Sequence, residues 1–136
     1  MWLPLALLAA FFAALVAIFG KIGLDKVDPI FATTLRAFVM FCFVLLISIG
    51  TKKINFSSLD KHAVTFILLS GIAGALSWIF YFSALKLGDP SKISSIDRLS
   101  VVFVVLLAAA FALEKLTLLK VAGALLMVAG AVVISL

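Results

Sequence analysis

Residues 89–117 read DPSKISSIDRLSVVFVVLLAAAFALEKLT, and this stretch decides the class of the protein. Asp89-Pro90 is a helix start: a side chain that can accept from free N–H groups, then a residue whose fixed φ and missing N–H suit the first helical position. No glycine or proline follows between Pro90 and Leu113. The pattern predicts one helix over 91–113, long enough to cross a hydrocarbon core of about 30 Å at about 1.5 Å per residue. Asp97 and Arg98 sit inside that run. A charged side chain at membrane depth costs at least about 2.5 kcal/mol, so such residues face a protein interior or a watery cavity rather than lipid.

The rest of the chain agrees. Of its 136 residues, 66% are hydrophobic and 12% charged, and the mean hydropathy is +1.39. Soluble domains carry about 25% charged residues, and one of this size could not hide so much apolar surface. The reading is an all-α integral membrane protein whose first partner is the lipid bilayer. The net charge of +5 comes largely from lysines placed where helices should end. That makes them headgroup and topology residues rather than a patch for nucleic acid. The single cysteine, Cys42, falls in mid-helix, so no intrachain disulfide can form. Residues 1–20 contain no Lys or Arg, which favours a first transmembrane helix over a cleaved signal peptide.

Five transmembrane helices emerge, over 2–20, 30–49, 63–85, 91–113 and 118–135, making residues 1–136 a single transmembrane domain. Asp28-Pro29 repeats the helix-start signal of Asp89-Pro90. Ser57-x-x-Asp60 is placed to cap the third helix and Thr117 the fifth. Small residues line one face of the first helix (Ala6, Ala10, Ala13, Ala17, Gly20) and of the third (Ser70, Gly74, Ser77, Tyr81, Ala84, Gly88). Such stripes let helices approach closely in lipid, where no hydrophobic drive pushes them together. On the third helix, packing and a polar lining are both open readings, because Ser77, Trp78 and Tyr81 add polar groups. Gly123 and Gly130, one heptad apart, read as packing positions.

The turns at 21–28 and 86–92 share one side of the membrane, here side B. Arg36, Tyr81 and Asp97 lie six or seven residues into their helices from that side, at a common depth of about 9–10 Å. Asp97 is expected to pair with Arg36 across the bundle. Arg98, turned about 100° from Asp97, either joins them or snorkels to the side-B interface. Two readings stay open. The pair is a clamp that fixes helix register, or Arg36, Ser77, Trp78, Tyr81, Asp97 and Arg98 line a substrate-binding cavity. His62, beside Lys61, reads as a headgroup contact. No metal-ligand spacing, phosphate loop, nucleophile elbow or carboxylate pair is present, so no metal, cofactor or enzyme activity is expected.

The segment 111–134, FALEKLTLLKVAGALLMVAGAVVI, carries Glu114, Leu116, Thr117, Gly123 and Gly130 in an order and spacing that resemble the end of an EamA domain of the drug/metabolite transporter superfamily. Tyr81, Ala84 and Leu85 are similar to the end of that family's third helix, and Arg36 to the arginine early in its second. The chain departs from many members at Asp97-Arg98, where they have a proline, and at Leu113, where they have a glycine. The resemblance implies one five-helix unit of an inverted-repeat transporter fold in the inner (plasma) membrane. One repeat encloses no pathway. It would work as a homodimer, antiparallel in form, or beside a homologous partner subunit, moving a small metabolite, amino acid or drug-like solute. The alternative is a non-transporting assembly or scaffold subunit. An acid in the first helix, used by small multidrug transporters of the same superfamily, is missing from residues 1–20.

Overall fold

In a bilayer every backbone polar group must be satisfied inside its own segment, so apolar runs of this length become helices. The computed structural model describes residues 2–54 and 60–136. The described residues form α1 (Trp2–Gly23), α2 (Pro29–Gly50), α3 (Lys61–Leu87), α4 (Pro90–Asp97), α5 (Ser100–Ala110) and α6 (Leu118–Ser135), with no strand. α4 and α5 together make one span, Pro90–Ala110, giving five spans long and apolar enough to cross a membrane. Large apolar side chains stand outward along them, among them Trp2, Phe41 and Leu126. Such a surface is a liability in water and the required one in lipid.

The starts of the spans follow the caps read from sequence. Asp28 Oδ1 accepts from the N–H groups of Ile30 (2.9 Å) and Phe31 (3.2 Å), with Pro29 next in line. Thr117 Oγ1 accepts from Lys120 N–H at 3.3 Å. Asp89 acts through its backbone: its carbonyl accepts from Ile93 N–H, and its side chain makes no cap hydrogen bond. At the start of α3 Asp60 Oδ1 accepts from Ala63 N–H at 2.6 Å. Ser57, expected to join it, lies outside the described residues.

The unbroken helix expected over 91–113 is corrected in two places. At Arg98–Leu99 the ladder tightens: Leu99 N–H donates to Ile96 C=O, Val101 N–H to Arg98 C=O, and Val102 N–H to Leu99 C=O. These are i−3 bonds, the 3₁₀ pattern, replacing the i−4 bonds of an α-helix. The break falls in a serine-rich segment, and Ser95 Oγ donates to Lys92 C=O at 2.8 Å. Local serine hydrogen bonds compete with the regular ladder, and no proline or glycine was needed to announce the change.

The second correction is the helix end. α5 stops at Ala110 because Ala112 turns to φ 54°. The N–H groups of Ala112 and Leu113 then close onto the carbonyls of Ala109 and Ala108, the paired bonds of a Schellman cap. Lys52 (φ 54°) ends α2 in the same way, with Lys53 N–H on Ser48 C=O. Alanine in this left-handed region is strained by about 1 kcal/mol relative to glycine. Ala112→Gly should therefore raise the thermal stability of the detergent-solubilised protein by about 1 kcal/mol or a little less. An unchanged or lower melting temperature would mean that the cap carries no strain.

The chain divides into two compact units, residues 19–86 and residues 1–18 with 87–136. In the first, Leu24, Phe82 and Leu85 form a small buried core. Gly20 makes that core possible: a Cβ there would lie 3.0 Å from Phe82 Cε1 and 3.2 Å from Leu85 Cδ2. Lys21 Nζ donates to the carbonyl of Leu85 (2.7 Å), in the last turn of α3 where carbonyls lack a helical partner, and Lys86 Nζ donates to that of Val27 (2.8 Å) in the turn between α1 and α2. In the second unit α4 and α5 pack against α6, and Ala131 is buried. Glu114 pairs with Lys120 at 2.5 Å. The hydrogen bond and charge of Lys120 hold the Glu114 carboxyl below its usual range. Gly123 and Gly130, expected to be packing positions, have no close neighbour within their own unit among the described residues: a Cβ at either would meet nothing within 4 Å.

Candidate functional site

Thr33, Arg36, Met40 and Val44 recur every three or four residues on α2 and so share one face. Gly71, Gly74, Ala75 and Trp78, at positions i, i+3, i+4 and i+7, share one face of α3. Between these faces lies a groove of about 700 Å³. It is open because its α3 wall is built from small residues: a Cβ on Gly71 or Gly74 would find nothing within 4 Å. Its volume falls within the range of about 300–1,000 Å³ usual for small-molecule sites. Among the described residues its walls are apolar apart from Arg36, the hydroxyls of Thr33 and Ser48 and the indole N–H of Trp78. The Thr33 hydroxyl is committed to the Pro29 carbonyl at 2.8 Å, as expected of a threonine in a membrane helix.

Arg36 gives the groove its charge. Its guanidinium carbon sits 3.5 Å from the centroid of the Trp78 ring and 5.7 Å from that of Phe82. Cation–π contacts of this kind contribute about 2 kcal/mol when shielded from water. The rings are themselves braced, with Trp78 meeting Tyr81 (5.5 Å) and Phe82 (5.7 Å) edge to face. Phe82 in turn occupies the space that Gly20 leaves. A line of contact thus runs from a glycine on α1 through two aromatic rings to the arginine. Stacking satisfies the flat faces of a guanidinium and leaves its N–H edge free to donate. Among the described residues of 19–86 no acceptor takes those donors, and Asp25, Asp28 and Asp60 form no ion pair with Arg36.

Arg36, Trp78 and Tyr81, named from sequence, come together here. Ser77 does not line the groove; it is exposed. Asp97 is half-buried and Arg98 exposed, both at the break between α4 and α5 in the other unit. Sequence reading missed Thr33, Met40, Gly71, Ala75 and Phe82. Counting three and four residues outward from Arg36 would have found Thr33 and Met40. Nothing local marks Gly71 and Ala75 as the lining in place of Ser70 and Ser77.

The model of the EamA-like transporter family matches residues 1–136. The chain belongs to the EamA-like transporter family. It is therefore a multi-pass membrane protein of a transporter family, and the groove belongs to an EamA-like unit. A protein from a Sinorhizobium species, described as an uncharacterized transporter in the cobO 3′ region, is 38% identical over 135 residues, 98% of this chain and 96% of the relative. That relative is close to this EamA-like chain in length. No solved structure matches the chain significantly.

The open α3 wall makes a specific expectation. Gly74→Leu has room for its side chain, so the variant should fold and insert while its isobutyl group fills the groove and stops transport. Ser77→Leu, on an exposed face, should leave both folding and transport close to wild type. Size-exclusion profiles and flux measured side by side would check this. Loss of folded Gly74→Leu protein would show that the glycine serves packing instead.

Proposed function

We propose that this protein is the single-repeat subunit of a secondary transporter that moves a small metabolite, amino acid or drug-like solute across the inner membrane. The observation that carries this reading is Arg36, held on Trp78 in a groove between two spans with no acceptor among the described residues of its own unit. An ionisable group at this depth is costly, and the cost is tolerated where the group meets a partner or a solute. In the working assembly Asp97 is the resting partner of Arg36. The solute enters when that pair loosens, through protonation of Asp97 or through competition for the arginine. The tightened turn beside Asp97 suits this role, since irregular backbone at membrane depth belongs where a cavity is lined.

A pathway needs a second repeat, and we assign that role to a second copy in antiparallel orientation. Lys52, Lys53, Lys61, Lys115 and Lys120 lie on the side of the N-terminus, against Lys21, Lys26, Lys86 and Lys92 on side B. The difference, 5 − 4 = 1, gives the positive-inside rule little to act on. Two reporters fused to the C-terminus, one active only inside and one only outside, should both give signal. A single orientation would rule out the antiparallel homodimer and leave a homologous inverted partner. The transport reading itself is tested by a metabolite-library screen for thermal stabilisation of the purified protein, followed by flux of the stabilising compounds in proteoliposomes. Stabilising compounds that never cross the bilayer would count against it.

A further inference from the structure

Among the described residues the α2–α3 groove has one charged residue in its lining, Arg36, placed against Trp78, and an apolar wall that includes Met40, Val44, Gly71 and Ala75. We propose that the groove binds a small organic anion with an apolar body, the carboxylate on the N–H edge of Arg36 and the aliphatic or aromatic part along the wall. This rests on the transporter reading above and adds the substrate class to it. The charge decides the head of the ligand. A cation would meet the guanidinium unfavourably, and a neutral polar group accepts more weakly than a carboxylate, which matches the guanidinium edge with paired charge-assisted bonds. The wall decides the tail. Beyond Arg36, the described lining offers only the hydroxyls of Thr33 and Ser48 and the indole N–H of Trp78 as side-chain polar groups, and the Thr33 hydroxyl already donates to the Pro29 carbonyl. A strongly hydrated solute would lose water along most of the groove without replacement. An apolar helix of a second copy, laid in the same place, would cover the guanidinium and give it no acceptor.

The chain supplies its own reporter. It has two tryptophans, Trp2 and Trp78. Trp2 is exposed at the start of α1, so Trp2→Phe leaves Trp78 as the single emitter, in van der Waals range of Arg36. Three probes share one apolar body and differ in the head: 3-phenylpropionate, 3-phenylpropionamide and 3-phenylpropylammonium. Each is titrated against purified Trp2→Phe protein, and its flux is followed in proteoliposomes of the same variant. The expected result is a saturable change in Trp78 emission with the propionate, at concentrations at least about tenfold below those needed for the amide or the ammonium. Arg36→Gln should remove that preference. Because the three probes are compared on intact Arg36, the test stands even if Arg36→Gln does not fold.

Equal response to all three probes, or no response to any, would overturn the proposal. Cross-linking of Ala75→Cys between copies in a Cys42→Ala background, with no probe response, would assign the groove to a second copy and overturn it too. Propionate that binds preferentially but is not carried would support the anion site and count against transport. Ammonium carried while propionate neither binds nor moves would overturn the anion site and leave the transporter reading standing.

Discussion

Arg36→Gln and Asp97→Asn should each abolish coupled transport, and the double variant should be more stable than the sum of the two single losses allows. Removing one member of a pair at membrane depth leaves the other charge without compensation, and such truncations cost about 3–5 kcal/mol in buried settings. Removing both removes the stranded charge, so a coupling of about 0.5–3 kcal/mol should appear in the double-mutant cycle. Arg36 also rests on Trp78 at 3.5 Å. Its loss therefore includes a stacking contribution of about 0.5–2 kcal/mol that Asp97→Asn does not share. Trp78→Leu, measured alone and with Arg36→Gln, separates that part. The readouts are thermal unfolding and proteoliposome flux. Simple additivity of Arg36→Gln and Asp97→Asn would mean that the two residues do not touch, and the gate proposed between them would fall.

Gly20→Val should destabilise the protein by about 1–3 kcal/mol and weaken transport, although no part of Gly20 lines the groove. Its Cβ would already stand 3.0 Å from Phe82 and 3.2 Å from Leu85, and both neighbours are buried with little room to retreat. Phe82 would move, and with it the support of Trp78, which meets Phe82 at 5.7 Å and carries Arg36. Shortening the obstructing ring should offset the added methyl groups. The Gly20→Val, Phe82→Leu double variant is expected to recover part of the stability while the altered Trp78 position keeps transport low. Melting temperature, Trp78 emission in the Trp2→Phe background and flux report the three links separately. A Gly20→Val protein as stable as wild type would show that the close approach places no constraint on the site.

The spans and their caps were legible in the sequence because both depend on neighbours along the chain. Hydropathy over some twenty residues sets a membrane helix, since each helix closes its own hydrogen bonds. Asp28, Asp60 and Thr117 cap through N–H groups two or three residues away. The family was legible for a similar reason: Glu114, Thr117, Gly123 and Gly130 keep their spacing within one turn and one helix. The break at Arg98–Leu99 and the left-handed Ala112 cap were not, because neither carries the proline or glycine that announces such geometry. Only the tertiary structure decided how each helix is turned about its axis. A soluble helix declares its inner face by the contrast between apolar and polar stripes. A membrane helix is apolar all round, and the contrast vanishes. Whether Ser77 or Ala75 faces α2 is then settled by fit between side chains: by where Phe82 can lodge over Gly20, and by which aromatic ring that leaves beneath Arg36.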